Sequence, residues 1–113
     1  MTESVGVEIE EVHAMITVSR TISTTGEKFA GAVRFAHDSA GYIKSKTGVD
    51  FKVEVPVGGN PMRLRWIAQL ESLAAFEQMD AKLTSDPKYM DMVAKTTQHV
   101  LPGTTVDEIW QST

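Results

Sequence analysis

His13, Glu54, Arg63, Arg65 and Gln69 are the residues of this chain whose types could do chemistry together. An imidazole oriented by the Glu54 carboxylate or the Gln69 amide is a general base, and Arg65 beside it would hold an anionic substrate. The same cluster also reads as a structural network of paired charges with no reaction attached. His37 and His99 lie far from His13 in sequence, and neither has a partner at ligand spacing. His37 is followed by Asp38, whose side chain would diverge from it on a helix. Catalytic metal sites need about three convergent ligands, so no metal is expected, and no cofactor. With no cysteine in the chain, disulfides, thiolate catalysis and thiolate metal sites are excluded together.

Trp66 and Trp110 sit on alternating positions, where aromatic side chains are expected in the core; stacking on an aromatic ligand is the other reading. Met79, Met90 and Met92 read as gap-fillers. Gly58-Gly59-Asn60 is expected to be a turn and not a phosphate loop, because no helix follows it.

The elements that must position these residues follow from hydrophobic period. From Val12 to Arg20 the even positions are Val12, Ala14, Ile16 and Val18 and the odd ones His13, Met15, Thr17 and Ser19, a half-buried strand. The polar run from Thr21 to Gly26 ends it. Thr24 and Glu27 have capping-box spacing, and Phe29, Val33, Ala36, Ala40 and Ile43 then form a helical stripe that stops at Gly48. Phe51, Val53, Val55 and Val57 alternate with polar residues as a second strand, with Pro56 at its edge. Gly58-Gly59-Asn60-Pro61 turns the chain into a third strand, Met62 to Leu70. Ser72 caps a second helix carrying Leu73, Phe76, Met79 and Leu83. Asp86-Pro87 opens a third, which ends near Pro102-Gly103. Thr104 to Ser112 alternates again as a fourth strand.

Strand, helix, hairpin, helix, strand is the α+β, ferredoxin-like βαββαβ order, a four-stranded antiparallel sheet with helices on one face. The expected division is an acidic, flexible stretch over 1–11 and one domain over 12–113. Phe29, Val33, Phe76 and Leu83 should pack on Val18, Val53, Leu64 and Trp66. The opposite sheet face should carry His13, Met15, Thr17, Ser19, Lys52, Glu54, Arg63, Arg65, Ile67 and Gln69, with Asp107 and Ile109 as further candidates. That face is either plainly solvated or closes on a second copy. In the closed case Glu54 must meet Arg63, Arg65 or a partner's basic group, because an unpaired buried charge costs several kcal/mol.

Composition bounds the partners. In 113 residues, 42% hydrophobic and 23% charged, there is material for one core. A formal net charge of −4 argues against sequence-independent nucleic-acid binding and against anionic membrane surfaces. No apolar run approaches the about 20 residues of a membrane helix. The acidic start, with Glu3, Glu8, Glu10 and Glu11, does not look like a secretory signal. A cytoplasmic location is the expectation.

Leu64-Arg65-Trp66-Ile67-Ala68-Gln69-Leu70-Glu71-Ser72-Leu73-Ala74-Ala75-Phe76, followed by Asp86-Pro87-Lys88-Tyr89, resembles the dimeric α/β-barrel superfamily. The NIPSNAP-like proteins are nearest, and the antibiotic-biosynthesis-monooxygenase and haem-degrading branches more distant. The resemblance covers about 62–110 through a helix cap and a helix break, and the first half by element order. It implies a homodimer whose two sheets wrap into a barrel, with the polar face inside. Leu70 stands where haem-degrading members have a tryptophan, and the helix from Leu73 to Leu83 has no histidine, so no catalytic residue is carried over. Two functions stay open. One is a non-catalytic or small-ligand-binding module. The other is a cofactor-free oxygenase or isomerase for a small aromatic or polyketide-like substrate. A small organic ligand would lie by His13, Glu54, Arg63, Arg65 and Gln69, or between sheet and helices near Trp66.

Overall fold

A computed structural model describes residues 15–113. The expectations for 1–11, and those for Val12, His13 and Ala14, lie outside the described residues. The order is β1 (Ile16–Ser23), α1 (Phe29–Thr47), β2 (Lys52–Glu54), β3 (Arg63–Leu70), α2 (Leu73–Thr84), α3 (Pro87–Ala94), a 3-10 turn (Lys95–Gln98) and β4 (Val106–Gln111). The four strands form one sheet in the order β2-β3-β1-β4. Every pairing is antiparallel. This is the expected α+β, ferredoxin-like arrangement, with a third helix and the 3-10 turn inserted before the last strand.

Local signals explain most boundaries. The Ser72 hydroxyl accepts from the Ala75 amide, and Asp86 accepts from the Lys88 amide with Pro87 in the first turn of α3, each cap satisfying an amide the helix itself cannot. Gly48 closes α1 at φ 79°, its amide donating to the Lys44 carbonyl, a left-handed backbone that glycine adopts without strain. Gly59 supplies the same conformation at φ 80° in the β2–β3 turn.

Four expectations about these elements need correction. The second strand does not reach Val57 but ends at Glu54, leaving Val55 and Val57 exposed. β1 does not stop at Arg20 but runs to Ser23, and Ile22 is among the most buried side chains of the protein. Thr21 and Ser23 are polar because they face away from the helices, not because the strand has ended. The Thr24–Glu27 capping box does not form. The Thr24 hydroxyl instead donates to the His99 carbonyl at 2.6 Å, and Thr25 accepts from the Lys28 amide at 3.2 Å. Tertiary pairing to the segment after the 3-10 turn outbid the local cap. Finally, α1 turns Ala32, Ala36, Ser39, Ala40 and Ile43 to the sheet, leaving Phe29 and Val33 half-buried at the margin. Small residues on this face let the helix axis approach the sheet closely.

Trp66 seats that helix. It is 9% exposed, and its indole N–H donates to the Ala36 carbonyl at 3.1 Å and the Ser39 hydroxyl at 3.2 Å. A buried indole thus packs without an orphaned donor. Two core clusters result. One gathers Ile22, Ala32, Ala36, Leu64 and Trp66, the other Ile16, Ile43, Leu70, Met79 and Leu83, and Phe51 packs against both.

A polar fastening holds the outer end of α1. The Tyr42 hydroxyl donates to the Asp86 carboxylate, Lys46 lies 3.8 Å from the same carboxylate, and the Lys88 ammonium stands 5.1 Å from the Tyr42 ring centroid. The bond to Asp86 pushes the Tyr42 phenol up to about 12. The same bond holds Asp86 below the usual carboxylate range.

Replacing Trp66 by Ala should cost about 3–5 kcal/mol, read by urea denaturation. A loss near zero would show that the ring is not a core element. The Tyr42–Asp86 pair makes stability pH-dependent in two known directions. The lowered carboxylate contributes above about pH 4 and is lost as pH falls through that range, because the unfolded chain binds the proton first. The raised phenol contributes below about pH 10 and is lost as pH climbs toward about 12. Asp86→Asn should therefore flatten both limbs of a plot of urea midpoint against pH, and unchanged limbs would exclude the pair as their source.

Candidate functional site

Cross-strand register aligns one row across the whole sheet. Val53 pairs with Trp66, Trp66 with Arg20, and Arg20 with Asp107. All four side chains face the helices, so the row passes from apolar on β2 and β3 to charged on β1 and β4. Arg20 shares the parity of Ile16, Val18 and Ile22 and is carried to the helix side with them. Asp107 answers it through two parallel bonds, Nε to Oδ1 at 2.7 Å and Nη2 to Oδ2 at 2.8 Å. This fork-to-fork geometry is the strong form of the arginine–carboxylate pair. Both side chains are about half exposed, which limits the pair to about 1 kcal/mol or less.

Above this row lies a cavity of about 200 Å³ between the sheet and the helices. It follows the seam between the two core clusters, taking Ile22 and Trp66 from one and Ile43, Met79 and Leu83 from the other. Phe35, Phe51, Phe76 and Tyr89 add aromatic wall, while Arg20, Asp107 and Asp80 supply charge. The hydrogen bond from Arg20 holds Asp107 below the usual carboxylate range, and the bond to Asp107 raises Arg20 further above neutrality. Burial pushes the Tyr89 phenol up, against a smaller opposing pull from Arg20. Both ends of the ion pair thus stay charged and the phenol stays protonated near neutral pH. Such a mixture of apolar wall and a few placed polar groups is the usual make-up of a small-molecule pocket.

Glu54, Arg63, Arg65 and Gln69, the described members of the cluster singled out by residue type, lie on the other side of the sheet. Glu54 and Arg65 are direct cross-strand partners on the open face and pair at 2.8 Å, half exposed. Arg63 Nε donates to the Asn60 carbonyl at 3.2 Å. Gln69 faces outward opposite Thr17. A second hollow, of about 240 Å³, runs beside Thr21, Glu54, Arg63 and Arg65. Trp66, by contrast, forms part of the cavity wall under the helices, so the sheet itself separates it from Glu54, Arg63, Arg65 and Gln69. Of the remaining histidines, His37 is exposed on α1, and His99 stacks on Phe35 with ring centroids 4.9 Å apart. Among the described residues, no group of three or more His, Asp or Glu side chains is placed to hold a metal ion, and no helix is long and apolar enough to cross a membrane.

The parity of β4 is the reverse of what its alternation suggested. Asp107 and Ile109 were candidates for the open face; register with β1 puts both on the helix side and gives the open face Val106, Glu108 and Trp110. Trp110 is consequently not core but 64% exposed. An amphipathic edge strand with apolar residues at both parities carries no signal of which side faces in. Arg20 and Asp107 were also missed as a pair. The available signal was the position of Arg20, two residues from Val18 and two from Ile22 on one strand face.

Searched against models of protein families, the chain matches none, and no curated protein matches it. Solved structures do. A NIPSNAP family protein from Agrobacterium tumefaciens superposes with a TM-score of 0.73 at 16% identity, covering 89% of this chain and 88% of that one. A second from the same organism, of unknown function, gives 0.71 at 18% identity and 88% of each chain. A NIPSNAP domain protein from Burkholderia xenovorans gives 0.70 at 10% identity, covering 83% of this chain and 90% of that one. At these identities the likeness speaks for the fold. The chain has a NIPSNAP-like, ferredoxin-like α+β fold, in agreement with the resemblance read from Leu64 to Phe76 and Asp86 to Tyr89.

Proposed function

We propose that this protein is a non-catalytic, small-ligand-binding module that works as a homodimer in the cytoplasm. The observation that carries the reading is the cavity of about 200 Å³ under Phe35, Phe76 and Tyr89. An apolar protein cavity of about 150 Å³ is enough to bind benzene, so this one has room for a ring with a short substituent. Its polar groups are an ion pair, a carboxylate and a protonated phenol. These orient a ligand by hydrogen bonding and offer no general base poised near neutrality. A catalytic role for His13 with Glu54, Arg65 and Gln69 is the second reading; Glu54, Arg65 and Gln69 share the open face.

The homodimer is supported by that face. Ile67, Val106 and Trp110 form apolar surface on it, with Lys52, Glu54, Arg63, Arg65 and Glu108 sharing the same side. Exposed apolar side chains interspersed with charges on one sheet face suit an interface between protein surfaces. Two such faces meeting would give the barrel that the resemblance implies.

Trp110→Phe leaves Trp66 as the only tryptophan and therefore a reporter inside the cavity. Toluene should change its fluorescence saturably, with a dissociation constant on the order of 0.1 to 1 mM. Adding Val93→Trp, with binding then followed calorimetrically, should fill the space and abolish the response. Equal binding before and after filling would refute the site. Arg65→Glu places a carboxylate against Glu54 and should halve the mass seen by light scattering at micromolar concentration; an unchanged mass would refute the dimer through this face.

A further inference from the structure

We propose that the ligand of the cavity is an arylalkylamine, one aromatic ring carrying an ammonium on a short alkyl chain, and not an aromatic acid. The inference rests on the ligand-binding reading and names the chemical class that this site takes. Cavity arginines usually suggest an anionic ligand, because the guanidinium fork fits a carboxylate in two parallel bonds. Here the Nε edge of that fork is already filled. Both the Nε and the Nη2 of Arg20 are engaged by the two oxygens of Asp107, at 2.7 and 2.8 Å. A ligand carboxylate would have to displace Asp107, or take the remaining Nη edge of a guanidinium whose charge Asp107 already balances.

The remaining charge has the opposite sign. Asp80, on α2, lines the same cavity and lies near enough for its charge to act on both Arg20 and Tyr89. Among the described residues it has no ion-pair partner. Among the described residues Arg20 is the only cation of the lining, against the carboxylates of Asp80 and Asp107; Glu108 also borders the space, but its side chain points to the open face opposite Ser19. The site is therefore net negative. Its walls carry the faces and edges of Phe35, Phe76, Trp66 and Tyr89, groups that attract a cation through their ring quadrupoles and stack on an aromatic ring. The volume sets the size at one ring with a short chain. Ring in the seam between the core clusters and ammonium toward Asp80 and Asp107 is the arrangement these groups favour.

The test uses the full chain bearing Trp110→Phe and three probes of matched body: 2-phenylethylamine, 2-phenylethanol and 3-phenylpropanoate, titrated at low salt by Trp66 fluorescence. The amine should bind about tenfold more tightly than the carboxylate, with the alcohol between them, as expected for one net charge at several ångströms in a partly screened site. Asp80→Asn, an exposed position whose loss leaves the core intact, should shrink that ratio to about threefold. Raising the salt to 1 M should shrink it further. Tightest binding of the carboxylate, or equal binding of all three, would overturn the amine assignment while leaving the cavity a ligand site. A failure of all three to give a saturable change would overturn the ligand-binding reading and this inference with it.

Discussion

A strand that turns Ile16, Val18 and Ile22 toward the helices must turn Arg20 there as well. Side chains alternate strictly along β1, so a charged residue two positions from Val18 and two from Ile22 cannot reach the open face without a bulge. The fold accommodates it by bringing Asp107 alongside from the edge strand. That pairing accompanies the register of β4, which in turn sends Trp110 outward and Ile109 inward. The guanidinium stands on β1 between Val18, packed on one hydrophobic cluster, and Ile22, a member of the other, and the cavity lies along their seam.

The consequence is a division of labour across the thickness of the sheet. On the helix side, small residues of α1 and the indole of Trp66 close the β2–β3 half tightly, while the β1–β4 half keeps space lined by aromatic rings and charge. On the other side, Glu54 and Arg65 neutralise one another in place, and an exposed tryptophan stands on an edge strand. The first side is the one we propose for a small molecule, the second the one we propose for another copy. The ion pair on the helix side is a minor contributor to stability at its exposure, and it occupies the Nε edge of the arginine.

Helix ends show the same competition between local and distant partners. Ser72 and Asp86 act as their own neighbourhoods suggest, because nothing else reaches them with better geometry. Thr24 does not, since the chain returning from the 3-10 turn presents the His99 carbonyl within 2.6 Å. The His99 ring then stacks on Phe35 and becomes part of the packing against α1. Distant contacts of this kind leave no trace in local spacing.

Element order, the apolar face of β3, the Gly48 stop, the caps at Ser72 and Asp86, and hence the ferredoxin-like class were all legible from residue type and period. These features depend on groups a few residues apart, where backbone geometry alone decides who meets whom. The pairing of Glu54 with Arg65 was legible too, as one of three partners the charge demanded. What tertiary structure alone decided was which side of the sheet β4 shows and where β1 ends. Those outcomes turn on inter-strand pairing between segments distant in sequence, β1 with β3 and β1 with β4, and a shift of one position there exchanges every inward side chain for an outward one.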